Sequence, residues 1–335
     1  VEDAKSMGYI IPDNYTSYDD NRFKSATGEY AVPRLNFDNV DKLMKAAHEN
    51  GVKLRGHTLV WHQQTPKYFF QQNYKITTGQ KYNTSKECMD TRLEFYVKTV
   101  MNHVLSSEYA DCLYSYDVVN EYLHSANAEK DSKNITYWGL IYGTYDKSVK
   151  DHGVTLRPSY VKDAFKYAHE MLVKYDRLDV KLIYNDYNCY QNPENIIHLV
   201  DYINSDGKVC DGIGMQSHLD ITDSFHSATN YAKALEYFRL NCPDLEIQIT
   251  ELDATMVSTE DKPLTDEDQA AYYDQIMNAI LTNKKNGGNI TALIIWSLYD
   301  GVSWRPAKFP CLFNGLYMPK AAFYAVIDAK KQYWD

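Results

Sequence analysis

Two glutamates stand where strand-like runs end. Glu121 closes Tyr114-Ser115-Tyr116-Asp117-Val118-Val119-Asn120-Glu121, and Glu251 sits late in Glu246-Ile247-Gln248-Ile249-Thr250-Glu251-Leu252-Asp253. Alternation and the abundance of Val, Ile and Tyr give both runs the pattern of a buried strand. A side chain at the carboxyl end of a parallel strand reaches the face on which α/β barrels do their chemistry. Two such carboxyl groups suit glycosidic bond cleavage, in which one attacks the anomeric carbon and the other protonates the leaving oxygen. An Asn-Glu or Thr-Glu-Leu-Asp string alone would carry little weight, because short strings recur by chance. These have company at other strand ends: Gly56-His57-Thr58-Leu59-Val60-Trp61-His62, Gln216-Ser217-His218-Leu219-Asp220, and the tryptophans Trp296 and Trp304.

The elements that must position these residues read as helix and strand in turn. Residues 1–36 are polar and aromatic, with Pro12-Asp13-Asn14 and Thr27-Gly28 as turn signals, and read as an extended loop. Asp38 opens a helix whose apolar face is Val40, Leu43, Met44 and Ala47 and whose stop is Gly51. Lys53 to Trp61 reads as a strand. Ser85 caps a long helix with Met89, Leu93, Val97, Met101 and Val104 on its inner face. After the Glu121 strand comes a connection from Tyr122 to Pro158, longer than the ~15 residues of ordinary loops, with Trp138 expected at the rim of a cleft. Ser159 is expected to cap the next helix, which feeds the strand from Val180 to Tyr187. Pro193 and Gly207 bracket a helix in the usual order of proline first and glycine last. A strand from Gly212 to His218, a helix around Tyr231 to Leu240 and the Glu251 strand follow. Thr265, with Asp266, Glu267 and Asp268 behind it, starts a helix that Gly287-Gly288 ends. The run Ile290 to Leu298 is nearly all apolar, as a strand covered on both faces would be. A final helix runs from about Pro319 to Tyr333.

That makes six strands and seven helices in alternation, which implies a parallel sheet with right-handed crossovers. The expected fold class is α/β, a (β/α)8 TIM barrel whose first two strands and one helix lie upstream of this chain or are missing from it. An incomplete barrel would expose strand edges that proteins avoid. No linker, low-complexity tract or repeat divides the sequence, so residues 1–335 read as one catalytic domain.

Composition narrows the partners. The chain has 335 residues, 44% of them hydrophobic, enough for a sizeable core, and no uncharged apolar run nears the roughly 20 residues of a membrane helix. A net charge of −10 argues against nucleic acid, whose phosphates call for clustered Lys and Arg. A neutral polymer fits better. Thirty tyrosines and five tryptophans offer flat faces for pyranose rings, though many must simply fill the core. The six cysteines show no C-x-x-C spacing, so neither a zinc site nor a redox motif is implied, and pairing is left open. The chain opens on Val1-Glu2-Asp3-Ala4-Lys5, without the basic and apolar regions of a signal peptide.

GHTLVWH, DVVNE, QSHLDI and ITELD occur in this order, each on an expected strand end. Together they closely resemble glycoside hydrolase family 10, the retaining endo-β-1,4-xylanases, from about Asp38 to the C-terminus. The resemblance implies an open cleft across the carboxyl face of the barrel that binds a xylose chain in subsites. Glu121 matches the acid/base and Glu251 the nucleophile, and retention asks for about 5 to 5.5 Å between them. His218 matches the histidine beside the nucleophile, with Asp253 expected to orient it. Asn120 matches the amide that bonds the sugar 2-hydroxyl. His57, Trp61, His62 and Gln216 match residues around the sugar under attack. Asn185 and Tyr187 match the leaving-group side, and Trp296 and Trp304 match the tryptophans that roof the cleft, with Arg305 beside them.

Two departures stand out. The family's Glu-Asn-Glu-Met-Lys run on the second strand is absent; Lys5 is the expected sugar-binding lysine in its place, with Lys24 of Arg22-Phe23-Lys24 competing. Tyr116 stands where a tryptophan is usual, a change expected to be tolerated. The implied activity is endo-1,4-β-xylanase, using no metal and no organic cofactor. The alternatives are a β-glucanase or mannanase of the same barrel clan, or a non-catalytic xylan-binding fragment. An upstream carbohydrate-binding module is a possible companion. Because an intact polysaccharide does not enter a cell, the expected location is secreted or cell-surface.

Overall fold

The computed structural model describes residues 29, 31–33, 35–75, 83–125, 136–150, 152–258 and 263–333. Lys5, Lys24 and the expected loop up to residue 28 lie outside the described residues, as does any early strand there. The chain divides into two compact units, Val1–Tyr184 with Leu199–Asp211, and Asn185–His198 with Gly212–Asp335.

The first unit holds α1 (Asp38–Glu49), β1 (Leu54–Trp61), α2 (Lys86–Ser106), β2 (Leu113–Asn120), α3 (Tyr137–Tyr142), α4 (Ser159–Lys174) and most of β3 (Lys181–Tyr187). β1 and β2 run parallel, with His57 opposite Asp117 and Trp61 opposite Asn120, and β2 is next to β3 in the sheet order. The β1–β2 register shifts between His57 and Val60, where β1 carries one extra residue. Gly56 is needed here: a Cβ would come within 2.4 Å of the Tyr116 ring, which occupies that space. Tyr116 is itself buried, so the core accommodates the tyrosine.

α2 forms because Ser85 accepts from Cys88 N (3.2 Å) and because Met89, Leu93, Val97, Met101 and Val104 recur on one side. That side is buried and packs on α4, and each such side chain contributes about 2 kcal/mol. Arg92, fully buried on α2, donates to Phe69 O (2.5 Å) and Gln71 O (3.0 Å) and lies over the Tyr74 ring. It thereby anchors the two short 3-10 turns Lys67–Phe70 and Gln72–Tyr74. Ser159 turns out to be the first residue of α4, with Pro158 at the cap position and no side-chain cap. The long connection after β2 contains a helix of its own, α3, capped by Thr136.

The second unit holds the end of β3, then α5 (Pro193–Ile203) as far as His198, β4 (Gly212–Gln216), β5 (His218–Asp220), α6 (Ala228–Asn241), β6 (Glu246–Thr255), α7 (Asp266–Lys285), β7 (Ile290–Ile295) and α8 (Ala321–Tyr333). The sheet order is β3-β4-β6-β5, with β7 on β6, and the resolved pairings are parallel. The expected single strand from Gly212 to His218 is interrupted at Ser217, whose hydroxyl lies 2.8 Å from Tyr231 Oη and 3.1 Å from Met215 O. Met215 faces Ile249 and His218 faces Asp253, so β6 carries one residue more than its partner across the break. Glu251 sits within that interval. Bulges of this kind re-aim side chains beside functional sites.

Thr265 and Asp268 form the reciprocal capping box of α7. β7 stops at Ile295 and, beyond Ile290, is half-buried or exposed rather than covered on both faces. It pairs with β6, and among the described residues no strand lies along its other edge. All six cysteines are thiols, five buried and Cys242 half-buried.

Candidate active site

In the first unit, the polar side chains gather where β1 and β2 end. Asp117 would be an unpaired charge in the apolar middle of β2, and β1 supplies its partners from alternate positions. Arg55 grips both carboxylate oxygens of Asp117, and His57 Nδ1 lies 2.9 Å from Oδ2. Thr58 donates to Asp117 O (2.9 Å). Asp117 is fully buried, so this pairing supplies the charge compensation a buried carboxylate requires. Further along, Trp61 Nε1 donates to Glu121 Oε2 (2.9 Å), and Asn120 is buried opposite Trp61. Glu121 has φ +56, so the strand breaks at the carboxylate instead of continuing past it. His57 and His62 flank Trp61, with ring centroids at 6.2 Å in both cases. Trp138 is only 2% exposed, so it is a buried support rather than the rim residue expected.

In the second unit, Glu251 is held from both sides. Asn185 Nδ2, at the end of β3, donates to Oε1 (2.9 Å), and His218 Nε2, from β5, lies 3.0 Å from Oε2. Thr250 Oγ1 donates to Asn185 Oδ1 (2.7 Å) and fixes which end of the amide faces the carboxylate. Gly214 makes room for this amide, since a Cβ there would fall 2.3 Å from Asn185 Oδ1. His218 Nδ1 is 3.1 Å from Asp253 Oδ1, an ion-pair contact bent away from ideal hydrogen-bond geometry. Burial alone would lower the His218 pKa; contact with the Asp253 and Glu251 carboxylates outweighs it and holds the ring at about 9. At neutral pH it is an imidazolium, donating toward two acids.

Asp253, fully buried, also accepts from Trp304 Nε1 (3.0 Å) and has Arg305 at 3.5 Å. Arg305 stacks on the Trp304 ring at 4.0 Å, and burial lowers its pKa against the pull of Asp253. Trp304 is 58% exposed, with its ring edge-on to His218 at 4.8 Å; Trp296 lies 6.1 Å from the same histidine. Gln216 is buried and Tyr187 half-buried. Asn185 is also fully buried.

The structure thus gathers His57, Trp61, His62, Asn120 and Glu121 in one unit, and Asn185, His218, Glu251, Asp253, Trp296 and Trp304 in the other. Arg55, Asp117 and Thr250 are the residues sequence reasoning passed over. A signal for the first two was present: a charged residue in an apolar strand, and an arginine two positions before a histidine on the neighbouring strand. Among the described residues, no cluster of three or more His, Cys, Asp or Glu is arranged to hold a metal ion.

Comparison with known proteins identifies the family. The profile described as Glycosyl hydrolase family 10 matches residues 4–329. The chain belongs to glycosyl hydrolase family 10. It is therefore a glycoside hydrolase of the (β/α)8-barrel class, consistent with the parallel strands and alternating helices of both units. This family 10 chain is 40% identical over 330 residues to endo-1,4-beta-xylanase A of Butyrivibrio fibrisolvens, covering 98% of the chain and 70% of that relative. It is 34% identical to the bifunctional endo-1,4-beta-xylanase XylA of Ruminococcus flavefaciens, covering 91% of the chain but 28% of the longer protein. Among solved structures, an intracellular xylanase from Thermoanaerobacterium saccharolyticum superposes with a TM-score of 0.67 at 29% identity, covering 91% of this chain and 85% of that one. The CBM22-1–GH10 modules of Clostridium thermocellum xylanase 10B, solved with xylohexaose, give a TM-score of 0.72 at 30% identity, covering 88% and 56%.

Proposed function

We propose that this glycoside hydrolase is a retaining endo-1,4-β-xylanase, with Glu251 as nucleophile and Glu121 as acid/base. The observation that carries the reading is the setting of Glu251. In a family 10 chain, at the end of a parallel strand, a buried carboxylate accepts an amide hydrogen bond at one oxygen and faces an imidazolium at the other. Such a carboxylate is held in a fixed orientation from both sides, as a group that attacks carbon must be. Glu251 bonds to the anomeric carbon as the carbon–oxygen bond to the leaving sugar breaks and Glu121 gives its proton to that oxygen. A water then cleaves the glycosyl ester, returning its proton to Glu121, so the anomeric configuration is retained.

In this reading His57, Trp61, His62, Asn120 and Gln216 surround the reacting xylose, Tyr187 lies on the leaving-group side, and Trp296 and Trp304 cover the sugar. The chain 1–335 acts as one catalytic domain, and the chemistry uses no metal. The CBM22-1 module beside the Clostridium enzyme supports an upstream carbohydrate-binding module as a companion here. Action on intact xylan places the protein outside the cell or on its surface. The intracellular description of the Thermoanaerobacterium enzyme makes product-length analysis the measurement that discriminates: preference for xylotriose over polymer would overturn the external location.

The direct test is Glu251→Ala on birchwood xylan. Turnover is expected to vanish and to return in part with azide, giving the inverted glycosyl azide; unchanged activity would remove the assignment. Reducing-sugar release from xylan, but not from carboxymethyl-cellulose, is expected. The opposite preference would favour a glucanase.

A further inference from the structure

Trp61 links Glu121 to structure much further out. Its indole N–H donates to Glu121 Oε2 (2.9 Å), so the direction of that carboxyl group depends on where the Trp61 side chain stands. The Trp61 main-chain carbonyl, the last of β1, accepts two side-chain donors: Trp138 Nε1 at 3.1 Å and Thr65 Oγ1 at 2.7 Å. Trp138 is buried and its own direction is fixed by neighbouring rings. It stacks on Tyr160 (centroids 4.9 Å, 9° between planes) and meets Phe70 edge-on (5.2 Å, 85°). It also sits in the first turn of α3, where Thr136 Oγ1 accepts from Gly139 N (3.1 Å) and closes the helix start. A donor this firmly seated sets the height of the Trp61 backbone, and through it the aim of one carboxyl group.

We propose that Trp138, together with Thr65, is a positioning residue for the acid/base, acting on Glu121 through the Trp61 carbonyl. The proposal rests on the reading of Glu121 as the proton donor, and it has a consequence that packing alone does not. When Glu251 attacks, the leaving oxygen takes the Glu121 proton, and only poor leaving groups need that proton in the transition state. A misaimed carboxyl group therefore slows substrates in proportion to the basicity of the leaving group. A loosened core slows them all alike.

The experiment compares kcat/KM for 2,4-dinitrophenyl and phenyl β-xylobioside in the wild type, Trp138→Phe, Thr65→Val and Glu121→Ala. Trp138→Phe keeps a ring in the stack but removes the N–H together with part of the indole volume, and the loss of packing acts on both substrates alike. The expected result is a loss of about 5- to 20-fold on the phenyl glycoside, a fraction of the 10²–10⁴ that general acid catalysis supplies. On the dinitrophenyl glycoside the change should stay within about twofold, a loss smaller than one hydrogen bond's worth. Thr65→Val should show the same selectivity with a smaller loss, and it decides the matter should Trp138→Phe fail to fold. Equal losses on both substrates in the two variants, or no loss in either, would overturn the proposal. Glu121→Ala separates the two levels of inference. If it too lacks leaving-group dependence, the acid/base reading has failed; if it shows strong dependence while the positioning variants show none, only the positioning role has.

Discussion

The imidazolium between Glu251 and Asp253 makes stability depend on pH in a calculable way. His218 has Nε2 3.0 Å from Glu251 Oε2 and Nδ1 3.1 Å from Asp253 Oδ1, and its pKa stands at about 9 against an ordinary 6.5. A folded-state pKa above the unfolded one means that the folded protein holds the proton more tightly. The stabilisation is complete below pH 6.5 and disappears as the pH rises through 9. At about 1.4 kcal/mol per unit, the shift corresponds to roughly 3 kcal/mol at pH 6, most of it gone by pH 9. The perturbation is His218→Gln, which fills similar space without titrating. Urea unfolding of both proteins from pH 6 to pH 10 gives the difference in free energy at each pH. The wild-type advantage is expected to shrink by about 3 kcal/mol across this range, mostly between pH 7 and 9. A difference that stays constant, or a His218 ring resonance titrating near 6.5, would refute the argument.

Other expectations follow from single contacts. Asn185→Ala removes a hydrogen bond to the Glu251 carboxylate, and at about 1.5–3 kcal/mol for a charged acceptor kcat/KM should fall roughly 10- to 150-fold; a change under about twofold would show the amide to be dispensable. Arg55→Met leaves the buried Asp117 carboxylate without its main counter-charge and should destabilise the fold by about 3–5 kcal/mol; urea melts of Arg55→Met/Asp117→Asn should recover most of it. Thr265→Ala breaks the capping box of α7 and should cost about 1 kcal/mol, a fall in Tm of about 1–2 °C by calorimetry, with kinetics unchanged.

The elements that could be read from the sequence were those whose own residues decide them. β2, β3 and β6 are runs of apolar and alternating residues, and α2 and α7 carry both a capping residue and a regular apolar face. What escaped depends on neighbours. Ser159 looks like a cap, but Pro158 holds that position, because cap geometry is set by where the chain enters the helix. The helix α3 is too short for its period to stand out within a long connection, and for that reason the sequence alone points to Trp138 as a rim residue. The break at Ser217 depends on a tyrosine from α6. In the site, Glu251, His218 and Asp253 were legible as a strand-end group with a recognisable context. The Arg55–Asp117–His57 cluster and the Thr250–Asn185 contact were not, because strand register selects those partners.

Each of the six thiols lies in a different part of the chain: Cys88 in α2, Cys112 ahead of β2, Cys189 after β3, Cys210 ahead of β4, Cys242 after α6 and Cys311 between β7 and α8. Burial pushes the Cys112 and Cys189 pKa values up and takes Cys311 to about 12, so these sulfurs stay protonated and slow to react while the protein is closed. Their alkylation rates then become clocks that time how often each neighbourhood opens to solvent. A single native protein, labelled briefly and digested, would thus report on local opening at several places at once, with no probe introduced.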